Sequence, residues 1–141
     1  MVQSSIIKID QVATIDRGGG VKTWPLVVHT RVDEAKFTTG ISVYPAGKGA
    51  PMHWHNCAEQ VTLLEGRGEV EVDGKVTPLV PYDSTYIPAE RMHCFRNTGD
   101  TPMKILWIYD SNVVTRTFQG STEAVAHLSA ADLMVAESSG S

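Results

Sequence analysis

Apolar and β-branched residues recur along the chain in short runs, each closed off by Gly, Pro, Asp or Asn. Residues 6–12, 24–30 and 37–44 read as strands, the last two rich in β-branched and aromatic side chains, with a flexible Gly18-Gly19-Gly20 joint after the first. Residues 59–64 and 68–72 flank Glu65-Gly66-Arg67 as a hairpin, and Asp73-Gly74 turns the chain into 75–79 with a strong two-residue turn signal. Residues 84–87, 93–97 and 103–110 continue the series, Pro88 and Gly99-Asp100 mark the breaks, and 113–118 adds a last strand. The one helix expected is short: Ser129 as N-cap ahead of Ala130-Ala131-Asp132-Leu133-Met134, with Asp132 in its first turn. Many short strands with frequent turns predict an all-β sandwich or barrel.

Composition narrows the picture. A chain of 141 residues, 42% of them hydrophobic, supports one domain and one core. The formal charge of −4 is scattered, and no run of Lys or Arg offers a phosphate-binding stripe, so nucleic acid is not an expected partner. The start of the chain lacks a basic, then apolar, leader, and the apolar run at 105–109 is far short of the ~20 residues of a spanning helix, so no membrane partner is expected. Two cysteines, Cys57 and Cys94, do not make a disulfide scaffold, and a reducing cytoplasm is the expected location.

Candidate chemistry sits in the middle of the chain. His53 and His55 project from one face of a strand because side chains alternate with period two, and Glu59 has the same parity. Imidazole nitrogens with a carboxylate suit Fe, Mn, Zn, Ni or Co better than Ca or Mg. A further ligand must come from elsewhere, and His93 stands at the start of another strand to supply it. Three imidazoles and one carboxylate leave an octahedral metal two positions, enough for a chelating substrate or for a substrate and O₂.

These residues carry a resemblance to the cupin superfamily. Gly47, His53, His55, Glu59 and Gly66 meet its first motif, G-x5-H-x-H-x3-E-x6-G, at every position. Pro88, His93 and Asn97 keep their places in the second, G-x5-P-x-G-x2-H-x3-N, while Tyr82 and Glu90 replace its two glycines. Glycine there supplies a tight turn, so the substitutions question loop geometry rather than metal binding. The resemblance, over residues 37–109, implies an antiparallel jelly-roll barrel of six to eight strands with one divalent transition metal per chain. It implies a barrel core over 37–118, N-terminal strands over 1–36 packing on the barrel or a partner subunit, and a C-terminal extension over 119–141. It also implies a homodimer, with residues 6–12 as the natural segment to exchange.

Several residues have two readings. In cupins the glutamate at Glu59 is either a ligand or a base. Cys57 shares the parity of the ligands, yet reads better as a small loop residue than as a pocket thiol. Tyr44, Met52, Trp54, Tyr86, Phe95, Trp107 and Tyr109 read first as core fillers; Phe95 is the best candidate for a pocket wall, and Tyr109, if it reaches the pocket, orients substrate or donates a proton. His29 and His127 match no motif and read as surface or structural residues. Lys48, Arg91 and Arg96 are the cations that would have to assemble for a phosphorylated substrate. The expected function is therefore a metal enzyme acting on a small molecule, with an Fe or Mn oxygenase ahead of a non-redox lyase or isomerase and of a ligand-sensing module. In the second of these, Glu59, Tyr86 or Tyr109 would move the proton.

Overall fold

A computed structural model describes residues 4–133. The strands join two antiparallel sheets, and the Asp73-Gly74 hairpin forms between residues 68–72 and 75–79. The hairpin expected around Glu65-Gly66-Arg67 does not form: the chain crosses there from one sheet to the other, so the strands on either side pair with other partners. In chain order the strands are β1 (Ile15–Asp16), β2 (Lys22–Pro25), β3 (Thr38–Tyr44), β4 (His53–His55), β5 (Glu59–Glu65) and β6 (Gly68–Val72). They continue as β7 (Lys75–Leu79), β8 (Ser84–Ile87), β9 (His93–Asn97), β10 (Met103–Tyr109), β11 (Thr115–Phe118) and β12 (Ala124–Ala126). One sheet runs β1-β2-β3-β10-β5-β8 and the other β12-β11-β4-β9-β6-β7, six strands each. The strands outside the two motifs pair onto the sheet edges, β2 on β3 and β12 on β11, which takes the count past the six to eight expected.

Alternation decides what faces inward. On β10 the buried set is Met103, Ile105, Trp107 and Tyr109, and on β5 it is Glu59, Val61 and Leu63. All of these but Glu59 meet Val70, Phe95 and Tyr44 in one hydrophobic cluster. Asp73 and Gly74 both take positive φ, 52° and 83°, as a two-residue hairpin turn matched to the strand twist requires. Asn97 ties the motif loops together: its amide donates to the carbonyls of Tyr44 and Thr101, and its oxygen accepts from Gly99 N–H.

Tyr82 and Glu90 keep the backbone conformation of the glycines they replace, with φ of 77° and 67°. The loop geometry is thus preserved at a conformational cost of roughly 1–2 kcal/mol for each residue. Glu90 repays part of it, because its N–H donates to the carbonyl of His55 and fixes the loop against β4.

Three further expectations are corrected. Residues 6–12 form no strand; Gln11 and Val12 bond back to Lys8 and Ile9 in a 3₁₀ turn, leaving Ile6 and Ile9 exposed, so no exchangeable strand stands there. The strand expected over 24–30 ends at Pro25, after which Leu26 and Val27 both turn their bonds to Thr39 and the ladder register is lost. The C-terminal helix is absent among the described residues. Leu128 adopts φ 67°, residues 127–131 form turns with no helix for Ser129 to cap, and Asp132 is drawn inward rather than standing in a first turn; Met134 lies outside the described residues. No helix among the described residues is long and apolar enough to cross a membrane.

Candidate metal centre

The two motifs meet through a single ladder pair. His53 on β4 lies directly opposite His93 on β9, and His55 points inward one alternation further along β4. From the facing sheet, Glu59 on β5 and Tyr109 on β10 form another ladder pair. All five side chains are buried.

Each imidazole is oriented by a backbone carbonyl. His53 Nδ1 lies 2.7 Å from Pro51 O, His55 Nδ1 3.1 Å from Thr115 O, and His93 Nδ1 2.8 Å from Arg91 O. A carbonyl only accepts, so each Nδ1 carries the proton and donates it. Burial, reinforced by the charge of Arg116, pushes His53 well below the ordinary histidine value. Burial also pushes His55 down, against the pull of Glu59. Both rings are therefore neutral, and their Nε2 atoms carry lone pairs.

The three Nε2-bearing rings offer ligand atoms within 4.8 Å of one another. His53 Nε2 and His55 Nε2 approach to 3.1 Å, two acceptors with no proton between them. A cation at their centre removes that conflict, and carbonyl-oriented imidazoles are the usual outer support of a metal site. The donor set fits a divalent transition metal. Glu59 flanks the cluster: Oε1 is 3.2 Å from His93 Nε2 and 3.6 Å from His55 Nε2. Burial raises its pKa, but His93, His55 and Arg116 together outweigh burial, so the carboxylate stays ionised below its ordinary range.

Tyr109 reaches the site, its hydroxyl 3.3 Å from His55 Nε2. Burial and the nearby Glu59 charge hold the phenol well above its usual pKa, so it keeps its proton at neutral pH. Phe95, Ile105 and Trp107 complete the apolar wall. Trp107 is seated by Gly40, where any Cβ would lie 2.2 Å from its ring, and its indole donates to Ser42 Oγ.

Other candidates lie elsewhere. Tyr86 is 71% exposed on β8 and cannot serve this site. Arg96 pairs with Glu69 and Glu71, Arg91 pairs with Asp73, and neither they nor Lys48 lines the cavity. Cys57 is a core residue whose thiol burial pushes up to about 12, and Cys94 is likewise held protonated, at about 11.

The cavity also holds two arginines that no motif marks, and His127, expected only as a surface or structural residue. Arg17 and Arg116 line it, both 2% exposed, and His127 packs its ring 5.0 Å from those of Trp107 and Tyr109. One signal was available: Arg116 shares the parity of Val114 and Phe118, the apolar face of its segment. Nothing in the sequence around Arg17 or His127 marks them as interior.

The titrations predict an acid-labile apo protein. His53, His55 and His127 are all depressed from 6.5, chiefly by burial, so below that value the unfolded chain binds more protons than the folded one. The stability they contribute is present above pH 6.5 and is lost as pH falls. Glu59, depressed from 4.5, adds in the same direction below that pH. Melting temperatures of chelator-treated protein should fall from pH 6.5 to 5.5 and hold nearly level from 7.5 to 7.0.

Comparison with known proteins agrees with this architecture. The cupin domain family model matches residues 40–109. The chain is 30% identical over 107 residues to protein SchB of Streptomyces halstedii, covering 74% of this chain and 76% of SchB. It is 32% identical over 92 residues to polyketide synthase CurC of Streptomyces cyaneus, 64% of this chain and 58% of CurC. Identity to a 5-nitrosalicylic acid 1,2-dioxygenase of Bradyrhizobium is 34% over 71 residues, 50% of this chain and 34% of the dioxygenase. The chain thus spans 58% of CurC and about a third of the dioxygenase. A crystal structure of a cupin-superfamily sugar phosphate isomerase from Silicibacter pomeroyi superposes with a TM-score of 0.70 at 19% identity, covering 86% of each chain.

Proposed function

The chain belongs to the cupin domain family, and from that premise we propose that it is a metal-dependent oxygenase acting on a small, oxygen-rich organic substrate. The observation that carries this reading is the convergence of the Nε2 atoms of His53, His55 and His93 beside the buried carboxylate of Glu59. Iron or manganese bound there would supply Lewis acidity and one-electron exchange with O₂. The protein's own part is to hold the ion through the three imidazoles, with Glu59 as a fourth ligand or as the base that takes a substrate proton. Tyr109 holds a proton at its hydroxyl beside the same site, and Phe95, Ile105 and Trp107 exclude water. The names of two relatives, a salicylate-type dioxygenase and a polyketide synthase, support a phenolic or β-dicarbonyl substrate.

A second reading, a non-redox isomerase or lyase, is favoured by one specific feature. Glu59 and Tyr109 form a ladder pair on the same sheet, a base and an acid side by side. Metal analysis of protein purified without added metal, followed by O₂-electrode measurements with salicylate, catechol and acetylacetone, separates the two. Bound iron or manganese with substrate-dependent O₂ uptake is expected. Turnover that persists without O₂ moves the assignment to the second reading, and tight binding without turnover makes the protein a ligand-binding module.

Under either reading Tyr109→Phe keeps the ring and removes the proton. It should lower kcat by about 10²-fold with metal content unchanged. Parallel loss of metal would show that the hydroxyl supports His55 rather than the reaction.

A further inference from the structure

The metal cavity is small. Its volume is about 20 Å³, room for an ion or one water and for no organic substrate. Next to it lies a second pocket of about 400 Å³, lined by Ile15, Val28, Val113 and Val114, which is the size of an ordinary small-ligand site. His127 lines both cavities, and Leu128 lines the outer one. His127, with Leu128 beside it, is therefore the partition between a room too small for substrate and one large enough.

A charge cluster holds that partition in place. Asp132, fully buried, accepts from Arg17 Nη2 at 2.9 Å on Oδ2, while Arg116 Nη1 lies 3.2 Å from Oδ1. Arg17 Nε and Nη2 also donate to the Asp132 carbonyl, at 3.1 and 3.0 Å. Two guanidinium groups thus embrace one carboxylate at the wall of the metal cavity, a geometry suited to any planar carboxylate. The segment that delivers Asp132 is itself strained, because Leu128 sits at φ 67°, a costly conformation for a side chain branched at Cγ. Leu128 N–H is satisfied by Asp132 Oδ2 at 2.8 Å, so the strained residue depends on the same carboxylate.

We propose that Asp132 occupies the carboxylate site of the substrate, and that a small organic acid with an apolar body takes its place between Arg17 and Arg116 as residues 127–132 withdraw and join the two cavities. The inference deepens the functional reading and rests on it for the metal-facing end of the substrate only. The acid's carboxylate is then its metal-facing end, in the cavity that also holds His53, Glu59 and His93, and its body fills the outer pocket.

Benzoate and its neutral isostere benzamide test this on the wild-type protein, metal-free and manganese-loaded, by amide hydrogen exchange. Benzoate should speed exchange at Leu128 and Asp132 at least about tenfold, because displacement frees the amides that Asp132 Oδ2 and Ser129 O now hold. Benzamide should not. Asp132→Asn, which weakens the internal competitor and keeps its shape, should tighten benzoate binding about tenfold in calorimetry, as expected when the binding-competent state is populated more often. Equal or slower exchange with benzoate in the wild type overturns the proposal and leaves Asp132 a structural ion-pair partner, whether or not the variant folds. The two readings fail separately. A protein that takes up no manganese yet opens with benzoate retains the anion site and loses the metal; one that binds manganese and stays closed loses only the anion site.

Discussion

His53→Ala and His93→Ala should each weaken metal binding by more than about a hundredfold and abolish turnover. Loss of an outer-shell partner alone costs about 10–100-fold in affinity, and here a ligand itself is removed. Each substitution leaves two imidazoles and Glu59, and it strands a carbonyl, Pro51 O or Arg91 O, that had been satisfied by Nδ1. The measurement is metal per chain after dialysis against a weak chelator, followed by activity with metal restored in excess. Because both side chains are buried on the one ladder pair that joins β4 to β9, melting curves of the metal-free variants must accompany it. In the metal-free protein the close His53–His55 contact is unfavourable, so His53→Ala should cost less stability there than its burial implies. Full metal content in both folded variants would place the ion elsewhere.

What made this site readable is that its ligands lie on local motifs. His53 and His55 are one alternation apart, Glu59 follows within one turn of chain, and the spacing from Pro88 to His93 to Asn97 is equally short-range. The opposite wall was not readable, because long-range register builds it. Arg116 comes to lie across from His55 only once β11 pairs with β4, and Arg17 meets Asp132 across nearly the whole chain. An arginine in a short strand carries no mark of burial until its partner is known. The same reason explains the missed C-terminal turns: local preference favoured a helix after Ser129, and two distant guanidinium groups overrode it. The strands that were read correctly are those whose alternation and turn residues agree, such as the Asp73-Gly74 hairpin. The expected strand at 6–12 had only scattered apolar residues and no partner edge, and among them Val12 alone is buried.

The second large effect concerns a glycine of the first motif rather than a ligand. Gly66→Ala should destabilise the protein by about 3 kcal/mol or more, whereas Gly47→Ala, at the other end of the same motif, should cost about 1 kcal/mol. Both glycines have positive φ, 88° and 75°, so both substitutions incur the left-handed cost of roughly 1–2 kcal/mol. They differ in surroundings. A Cβ at Gly47 meets nothing within 4 Å, but one at Gly66 would lie 2.5 Å from Pro102 O and 3.1 Å from Met103 Cα. Those atoms are backbone at the entry to β10, the strand that carries Trp107 and Tyr109, and they cannot rotate away as a side chain would. Relief would require shifting β10 against β5, where the register already slips between Lys104 and Ile105. At about 2–4 °C per kcal/mol for a chain of this size, Gly66→Ala should melt about 10 °C lower and Gly47→Ala about 3 °C lower. Metal content at low temperature should be retained in Gly47→Ala. Equal losses in the two variants would mean that β10 yields to the added methyl, and that the motif glycine is required for its dihedral alone.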